Sequence, residues 1–227
     1  MPTLSDLARF FASLTTAEVL IGLAITASIL ILVSDWRLSL LALAVQYILV
    51  TVLLSTIVQL EVATVRMIAG GFVALIFYIT ARRVRSSRMR RARRAGWTHE
   101  EEIAALFERG VFLIGLPFRI VAVVLVGVSV IGFSSQFTLL NAPLLFWVTS
   151  LWLCATGLLL MAITRDALKL GMGLLTFTSG FGILYLSIDL SLLIYGLLVL
   201  TDLVIALAVA HLASAAATNT ARRRGEA

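Results

Sequence analysis

Seven apolar runs of helical length, separated by short polar breaks, constrain this chain more than any other feature of its sequence. A helix of about 20 predominantly apolar residues is needed to cross the hydrocarbon core of a bilayer. Runs of that length cover residues 16–34, 38–58, 60–81, 112–133, 143–163, 168–188 and 191–212. The pattern therefore predicts an all-α, polytopic transmembrane helix bundle of about seven spans.

The composition excludes an ordinary soluble domain. Hydrophobic residues make up 61% of the chain, charged residues only 13%, and the mean hydropathy is +1.07. Soluble domains are about half apolar and about one quarter charged, so a soluble core could not cover this much apolar surface. We expect a single membrane domain over residues 1–227, multi-pass, in the cell (inner or plasma) membrane.

Nothing in the sequence indicates a catalytic centre. Cys154 is the only cysteine, so one chain can build neither a disulfide nor a cysteine-based metal site. We find no metal-binding His-Cys spacing, no Ser-His-Asp set, no glycine-rich phosphate loop and no cluster of paired carboxylates. The expectation is a protein without catalytic residues, metal or cofactor of its own.

Basic residues are distributed asymmetrically around the apolar runs. With the N-terminus outside and the C-terminus in the cytoplasm, the outer segments contain Arg9 alone. The inner segments then contain Arg37, eight arginines between residues 82 and 94, Arg109, Arg165, Lys169 and Arg222 to Arg224. Because Lys and Arg are retained on the cytoplasmic side, this orientation is predicted. The pI of about 10.4 is then explained by orientation and anionic lipid, and nucleic acid is not an expected partner.

Residues 82–110 are predicted to form a cytoplasmic Arg-rich loop followed by a short acidic helix. The arginines of this loop are Arg82, Arg83, Arg85, Arg88, Arg90, Arg91, Arg93 and Arg94. They fall on every side of a helix, which describes a solvated extension of the third span. Two interpretations stay open: a topology anchor beside anionic lipid, or a docking site for a cytoplasmic partner.

Asp202 is the most informative polar residue within the spans. It lies midway along the last span, too far from either end for its side chain to reach the interface. A charged residue at the centre of a span costs about 2.5–3.5 kcal/mol on insertion scales and is by default assigned a functional role. Asp202 is thus a candidate for a proton or ion path. The alternative is an inter-helix hydrogen bond that only holds the bundle together.

Four further polar residues are candidates for the same path. Glu61 and Arg66 are close together near the outer end of the third span, and pair with each other or with a neighbouring helix. Arg66 is the deeper of the two, and either its side chain extends to the interface or it is a cation beside a buried acid. Gln46 lies well inside the second span and either joins helices or belongs to the path. His211, near the inner end of the last span, is either structural or passes protons to the cytoplasm.

Small residues in the sixth span predict that this helix packs closely against a neighbouring helix. Gly173 and Gly180 lie two turns apart on one side of it. Small residues let helix backbones approach closely, so these two are predicted to face a neighbouring helix.

Two segments resemble known membrane subunits. TRDALKLGMGLLTFTSGFGILYL is similar to the basic turn and glycine-rich second helix of the K-type small subunit of complex I and the C-type subunit of Mrp sodium/proton antiporters. LLVLTDLVIALAVAHL resembles the third helix of that group. The closer resemblance is to component E of hydrogenase and formate hydrogenlyase membrane arms. Its register is matched by Gly157, Arg165, Leu168, Gly173, Gly180, Thr201 and Asp202, and its second helix by DWRLS and Gln46.

The resemblance implies a non-catalytic subunit of an oxidoreductase complex, beside antiporter-like and other membrane-arm subunits of an ion-translocating assembly. Asp202 then takes the place of the acid in the third K-type helix. The acid of the preceding helix is absent, with Leu175 or Thr178 at the candidate positions. The identity of the redox enzyme and of the moving ion stays open.

Two other classes of function remain as alternatives. One is a structural membrane scaffold that docks a cytoplasmic partner through its Arg-rich loop. The other is a stand-alone small transporter, which is disfavoured because the sequence reveals neither a repeated half nor a pair of broken helices.

Overall fold

The computed structural model describes residues 16–33, 35–58, 60–94, 115–134, 144–164, 166–188 and 191–225. These residues form seven helices and no strand. The helices are α1 (Thr16–Leu32), α2 (Trp36–Leu54), α3 (Leu60–Arg94), α4 (Gly115–Ser134), α5 (Leu144–Ile163), α6 (Ala167–Ile188) and α7 (Leu192–Gly225). The prediction of an all-α fold is confirmed for this part of the chain.

Helices α2 to α7 each contain an apolar stretch long enough to cross a membrane, which makes six candidate spans among the described residues. Helix α1 is also apolar but has only 17 residues. The six long apolar helices indicate a multi-pass membrane protein. Helix α4 has most of its large apolar side chains exposed, with Val121, Leu125 and Val128 each more than 60% exposed.

Local sequence explains where two of the helices begin. Asp35 has an extended backbone and its carboxylate accepts a hydrogen bond from the backbone N–H of Arg37 at 3.2 Å, which caps the start of α2. Pro117 lies in the first turn of α4, where its missing N–H leaves no helical hydrogen bond unmade.

Six helices form a ring and the seventh lies outside it. Around the ring, α1 contacts α2, α2 contacts α3, α3 contacts α7, α7 contacts α6, α6 contacts α5, and α5 contacts α1. A further contact between α2 and α6 crosses the ring. Helix α4 packs on α5 and α1 from the outside. The interior of the bundle is therefore bordered chiefly by α2, α3, α6 and α7.

The ring can be divided into two three-helix units, α1–α3 and α5–α7. Each helix contacts its counterpart, since α1 meets α5, α2 meets α6, and α3 meets α7. In both units the first connection has three residues, 33–35 and 164–166, and ends in an aspartate, Asp35 or Asp166. The two units thus correspond in helix order and in the length of their first turn.

The apolar core is divided along the bundle. One cluster, at the end where α1 joins α2 and α5 joins α6, includes Ile31, Leu43, Phe77 and Val209. The other, toward the opposite end, includes Val19, Leu53, Phe146, Leu186 and Val199.

Helices α3 and α7 are much longer than a bilayer requires. They contain 35 and 34 residues, and at about 1.5 Å per residue each extends about 50 Å, against a hydrocarbon core of about 30 Å. Residues 82–94 form the last turns of α3, so this part of the predicted loop is helical, with exposed Arg82, Arg83 and Arg85. The predicted acidic helix before residue 110 lies outside the described residues.

Candidate functional site

Arg66 and Asp202 form an ion pair inside the bundle. Arg66 Nη2 lies 3.5 Å from Asp202 Oδ2, and the two side chains are 1% and 2% exposed. The pair joins α3 to α7, which are neighbours in the ring although they are far apart in the sequence. Asp202 is therefore a carboxylate with a cationic partner, and the two charges balance each other inside the apolar interior.

Two hydroxyl groups complete the surroundings of the carboxylate. The Tyr47 hydroxyl, from α2, donates to Asp202 Oδ2 at 3.2 Å. The Thr178 hydroxyl, from α6, donates to Oδ1 at 2.6 Å. Both oxygens of Asp202 thus accept a hydrogen bond, as a buried carboxylate requires.

The guanidinium group of Arg66 is held from three sides. Its Nη2 donates to the Ser179 hydroxyl oxygen at 2.8 Å, and that hydroxyl in turn donates to the Leu175 carbonyl at 2.7 Å. Arg66 Cζ lies 5.6 Å from the ring centre of Tyr47 and 5.9 Å from that of Tyr195. Both distances are in the range of cation–π attraction. The arginine is fixed in place by contacts that do not depend on Asp202 alone.

Some polar atoms of this region have no hydrogen-bond partner among the described residues. They are Arg66 Nε and Nη1, the Tyr195 hydroxyl and both amide atoms of Gln46. Buried polar atoms without a protein partner are uncommon in folded proteins, so their concentration here distinguishes this region from the apolar core.

One glycine, Gly70, leaves space for a large side chain of the site. A Cβ atom at Gly70 would come within 2.6 Å of Tyr47 Cγ, so the aromatic ring occupies the volume that a side chain on α3 would need. A Cβ at Gly182 would lie 3.5 Å from Arg66 Nη1, which is ordinary van der Waals contact. Gly70 is thus required for Tyr47 to reach Asp202.

Two other predicted path residues, Gln46 and His211, do not join this cluster. Gln46 is buried, yet no described hydrogen bond connects it to the ion pair. His211 is on the exposed surface of α7, away from the bundle interior. The side chain of Glu61 lies outside the described residues, so its pairing with Arg66 stays a prediction.

Gly173 and Gly180 lie against α5. A Cβ at Gly180 would be 2.7 Å from the backbone nitrogen of Cys154, and one at Gly173 would be 3.0 Å from the Gly157 carbonyl oxygen. The opposing glycine is equally close, since a Cβ at Gly157 would lie 2.6 Å from the backbone nitrogen of Phe177. Helices α5 and α6 therefore touch through their backbones.

Two cations lie at the end of α1. Lys169 Nζ donates to the Val33 carbonyl at 2.5 Å, and Arg119 Nη1 donates to the Ile31 carbonyl at 3.2 Å. Both side chains satisfy carbonyls that the end of a helix leaves without intrahelical partners.

Sequence reasoning offered a buried acid or a neighbouring helix as alternatives for the partner of Arg66 but did not name Asp202 as that partner. It also missed Tyr47, Ser179 and Tyr195. Tyr47 is next to Gln46 and faces a helix that carries the Gly70–Gly71 pair, which is the one signal that a bulky side chain needs room there.

The described residues contain no group of three or more His, Cys, Asp or Glu side chains that could hold a metal ion. No protein-family model matches this chain, and neither a curated protein nor a solved structure matches it at a significant level.

Proposed function

We propose that this chain is a non-catalytic membrane-arm subunit of an ion-translocating redox complex, of the complex I or membrane-bound hydrogenase type. The observation that carries the proposal is the Arg66–Asp202 pair, a titratable charge held in the middle of an apolar bundle. Ionisable residues at this depth mark ion and proton pathways more often than packing sites. The resemblance of the last three helices to K-type subunits and component E supports the same class.

Burial of the pair is difficult to explain by stability alone. Replacing a buried ion pair by apolar residues of similar volume is often neutral or stabilising, so such a pair is weak evidence for a structural role. Hydroxyl groups from α2 and α6 nevertheless satisfy the carboxylate. This arrangement keeps Asp202 available as a site at which charge changes during translocation.

The proposal includes seven spans in the cell membrane, with the N-terminus outside and the C-terminus in the cytoplasm. Its support is the concentration of cations at one end of the bundle, where Lys169 and Arg119 bind the last carbonyls of α1 and Arg82, Arg83 and Arg85 are exposed. The proposed partners are antiporter-like and other membrane-arm subunits, together with anionic lipid on the cytoplasmic side.

Two alternatives are each favoured by one observation. The extension of α3 through residue 94 favours a structural scaffold that docks a cytoplasmic partner through its arginines. The position of the ion pair between the two three-helix units favours a stand-alone transporter, because transporter sites lie at repeat interfaces near the midplane. Unbroken helices at the level of the pair weigh against the second alternative.

The test is Asp202→Asn in the native complex, which is purified with its companion subunits and reconstituted in vesicles. The variant keeps size and hydrogen bonding but loses the titratable carboxyl group. We expect normal assembly, retained redox turnover, and redox-driven ion translocation reduced at least about tenfold, as for loss of a group that transfers protons. Asp202→Glu should retain part of the translocation.

Asp166→Asn is the matched control, because it makes the same chemical change at an exposed turn. If Asp202→Asn assembles and translocates ions like the parent, the proposal fails and the scaffold becomes the leading interpretation. Transport by the isolated full chain in vesicles, without companion subunits, would instead favour the stand-alone transporter.

A further inference from the structure

The geometry points to a proton, rather than sodium or another metal cation, as the ion exchanged at Asp202, with Arg66 as the residue that sets this selectivity. The inference rests on the proposed function and specifies its ion. It is drawn from what surrounds the carboxylate: Tyr47 from α2, Arg66 from α3, Thr178 and Ser179 from α6, and Tyr195 from α7.

A metal cation at Asp202 would find few free oxygen ligands while Arg66 is in place. Hard cations are bound by several oxygens at once, and sodium sites in membrane transporters use carbonyls of unwound helix segments. Here the four helices that border the pair run unbroken through its level. Their carbonyls are engaged in helical hydrogen bonds, and the Ser179 hydroxyl oxygen already accepts from Arg66. Besides the carboxylate, the hydroxyl oxygens of Tyr47 and Thr178 are the oxygen atoms that the described contacts place at the site, and Arg66 lies beside them.

Arg66 also opposes a second cation directly. A guanidinium group does not lose its proton in proteins, so its charge is permanent. Two rings and Ser179 hold it beside Asp202, which prevents it from moving away when a cation approaches. Two unit charges about 4 Å apart, at an effective dielectric constant of about 20, repel strongly enough to weaken binding about a thousandfold.

A proton needs none of these ligands. Its transfer from a hydronium ion forms one O–H bond at Asp202 Oδ2, breaks one in the hydronium ion and leaves a water molecule. The new O–H can donate to the Tyr47 oxygen once the Tyr47 hydroxyl turns its own hydrogen away from Oδ2, while the Thr178 hydroxyl keeps its contact with Oδ1. The net charge of the pair changes from zero to plus one, carried by Arg66, and release of the proton to water restores neutrality. Both states leave the carboxyl group satisfied.

The test measures thermal unfolding of the purified full chain in sodium chloride and in choline chloride at equal ionic strength. A cation that binds only the folded chain raises the unfolding midpoint. We expect the parent midpoints to agree within about 1 °C, whereas sodium bound well below its concentration would raise the midpoint by several degrees in a chain of this size, roughly 5 °C or more. A sodium-specific rise that disappears in Asp202→Asn would overturn the inference.

Arg66→Gln tests the role assigned to the arginine. Without the fixed positive charge, Asp202 should become able to bind sodium, so we expect a sodium-specific rise of the midpoint in this variant. Arg66→Lys keeps a positive charge and should behave like the parent. A glutamine variant that folds and shows no response to sodium would remove Arg66 as the selectivity residue. The parent measurement tests the ion itself even if the glutamine variant does not fold.

Failure of this inference is distinguishable from failure of the proposed function. If Asp202→Asn leaves redox-driven translocation intact, the proposed function fails whatever the response to sodium. If that variant abolishes translocation and the parent nevertheless binds sodium at Asp202, the proposed function stands and only the identity of the ion is overturned.

Discussion

The interface between α5 and α6 and the interface between α3 and α7 hold neighbouring helices together by different means. Between α5 and α6, Gly157, Gly173 and Gly180 bring the two backbones into contact without a charged group. Between α3 and α7, the Arg66–Asp202 ion pair provides the polar link, and the Tyr195 ring packs beside the arginine. The first interface depends on shape, and the second contains charge that shape alone does not require.

The contrast separates an interface that close packing explains from one that close packing does not require. In a membrane, helices associate through close packing because lipid and side chains are equally apolar, and small residues are sufficient for this. The α5–α6 interface meets that requirement fully. The charges between α3 and α7 are not needed for packing of this kind, and the proposed function gives them a role.

The largest expected effect is the loss of folded protein when the glycine interface is filled. Gly157→Leu would put a side chain 2.6 Å from the Phe177 backbone nitrogen, where no flexible atom can move aside. Overpacking typically costs about 1–3 kcal/mol where side chains can rearrange, and occasionally more; here only backbone atoms face the new side chain, so we expect the cost to exceed that range and the two helices to separate. We expect little monodisperse protein by size-exclusion chromatography.

Gly71→Leu on α3 is the control for this experiment, since a Cβ there would meet nothing within 4 Å. It should be recovered at a yield close to that of the parent. Equal yields for both leucine variants would mean that α5 and α6 are not in backbone contact.

The second effect concerns the interface between α3 and α7. It distinguishes an energetic coupling between Arg66 and Asp202 from the separate cost of burying each charge. Arg66→Met and Asp202→Leu each leave one buried charge without its partner, which costs about 3–5 kcal/mol. The double variant removes both charges and fills the space with apolar groups, so it should be more stable than either single variant. This double-mutant cycle is measured from the unfolding midpoints of the parent, the two single variants and the double variant in one detergent.

Additive losses in that cycle would contradict the ion pair, because they would show that the two residues act independently. A double variant as stable as the parent would support the view that the pair contributes little to stability. It should then also have lost ion translocation.

The smallest effect compares two threonines of α6. The Thr178 hydroxyl donates to the carboxylate, whereas the Thr176 hydroxyl donates to the Met172 carbonyl of its own helix. A hydrogen bond to a charged group contributes about 1.5–3 kcal/mol, and one between neutral groups about 0.5–1.5 kcal/mol. Thr178→Val should therefore lower the unfolding midpoint more than Thr176→Val does. The reverse order would show that the Thr178 contact with Asp202 is not formed.

The helices themselves could be predicted from the sequence because each of them contains a continuous apolar run. The second run was predicted at 38–58 and the helix covers Trp36–Leu54, while the sixth was predicted at 168–188 and covers Ala167–Ile188. The third apolar run ends at residue 81, whereas α3 continues to Arg94, in line with the arginine pattern that predicted a solvated extension of this span. Apolarity marks the membrane-spanning part of a helix, and its solvated extension is indicated by the charged residues that follow.

The site could be predicted only in part. Asp202 and Arg66 stand out because charge is costly within a span. Their pairing depends on which helices are neighbours, and the contact between α3 and α7 joins residues 136 positions apart, from 66 to 202. Tyr47 gave no signal of its own, because an aromatic residue within an apolar helix is compatible with lipid, core or site. Gln46 and His211 were singled out by polarity, yet neither has a described hydrogen bond to the pair.

The close approach of Gly70 to Tyr47 restricts the substitutions that the chain can accept during evolution. Tyr47 reaches the carboxylate across the volume that a side chain at position 70 would occupy. Any mutation that adds even a methyl group there must be accompanied by a smaller residue at position 47, and a smaller residue at 47 removes the hydroxyl from Asp202. The two positions are therefore expected to change together or not at all, so that in related sequences a glycine at 70 should accompany a tyrosine at 47.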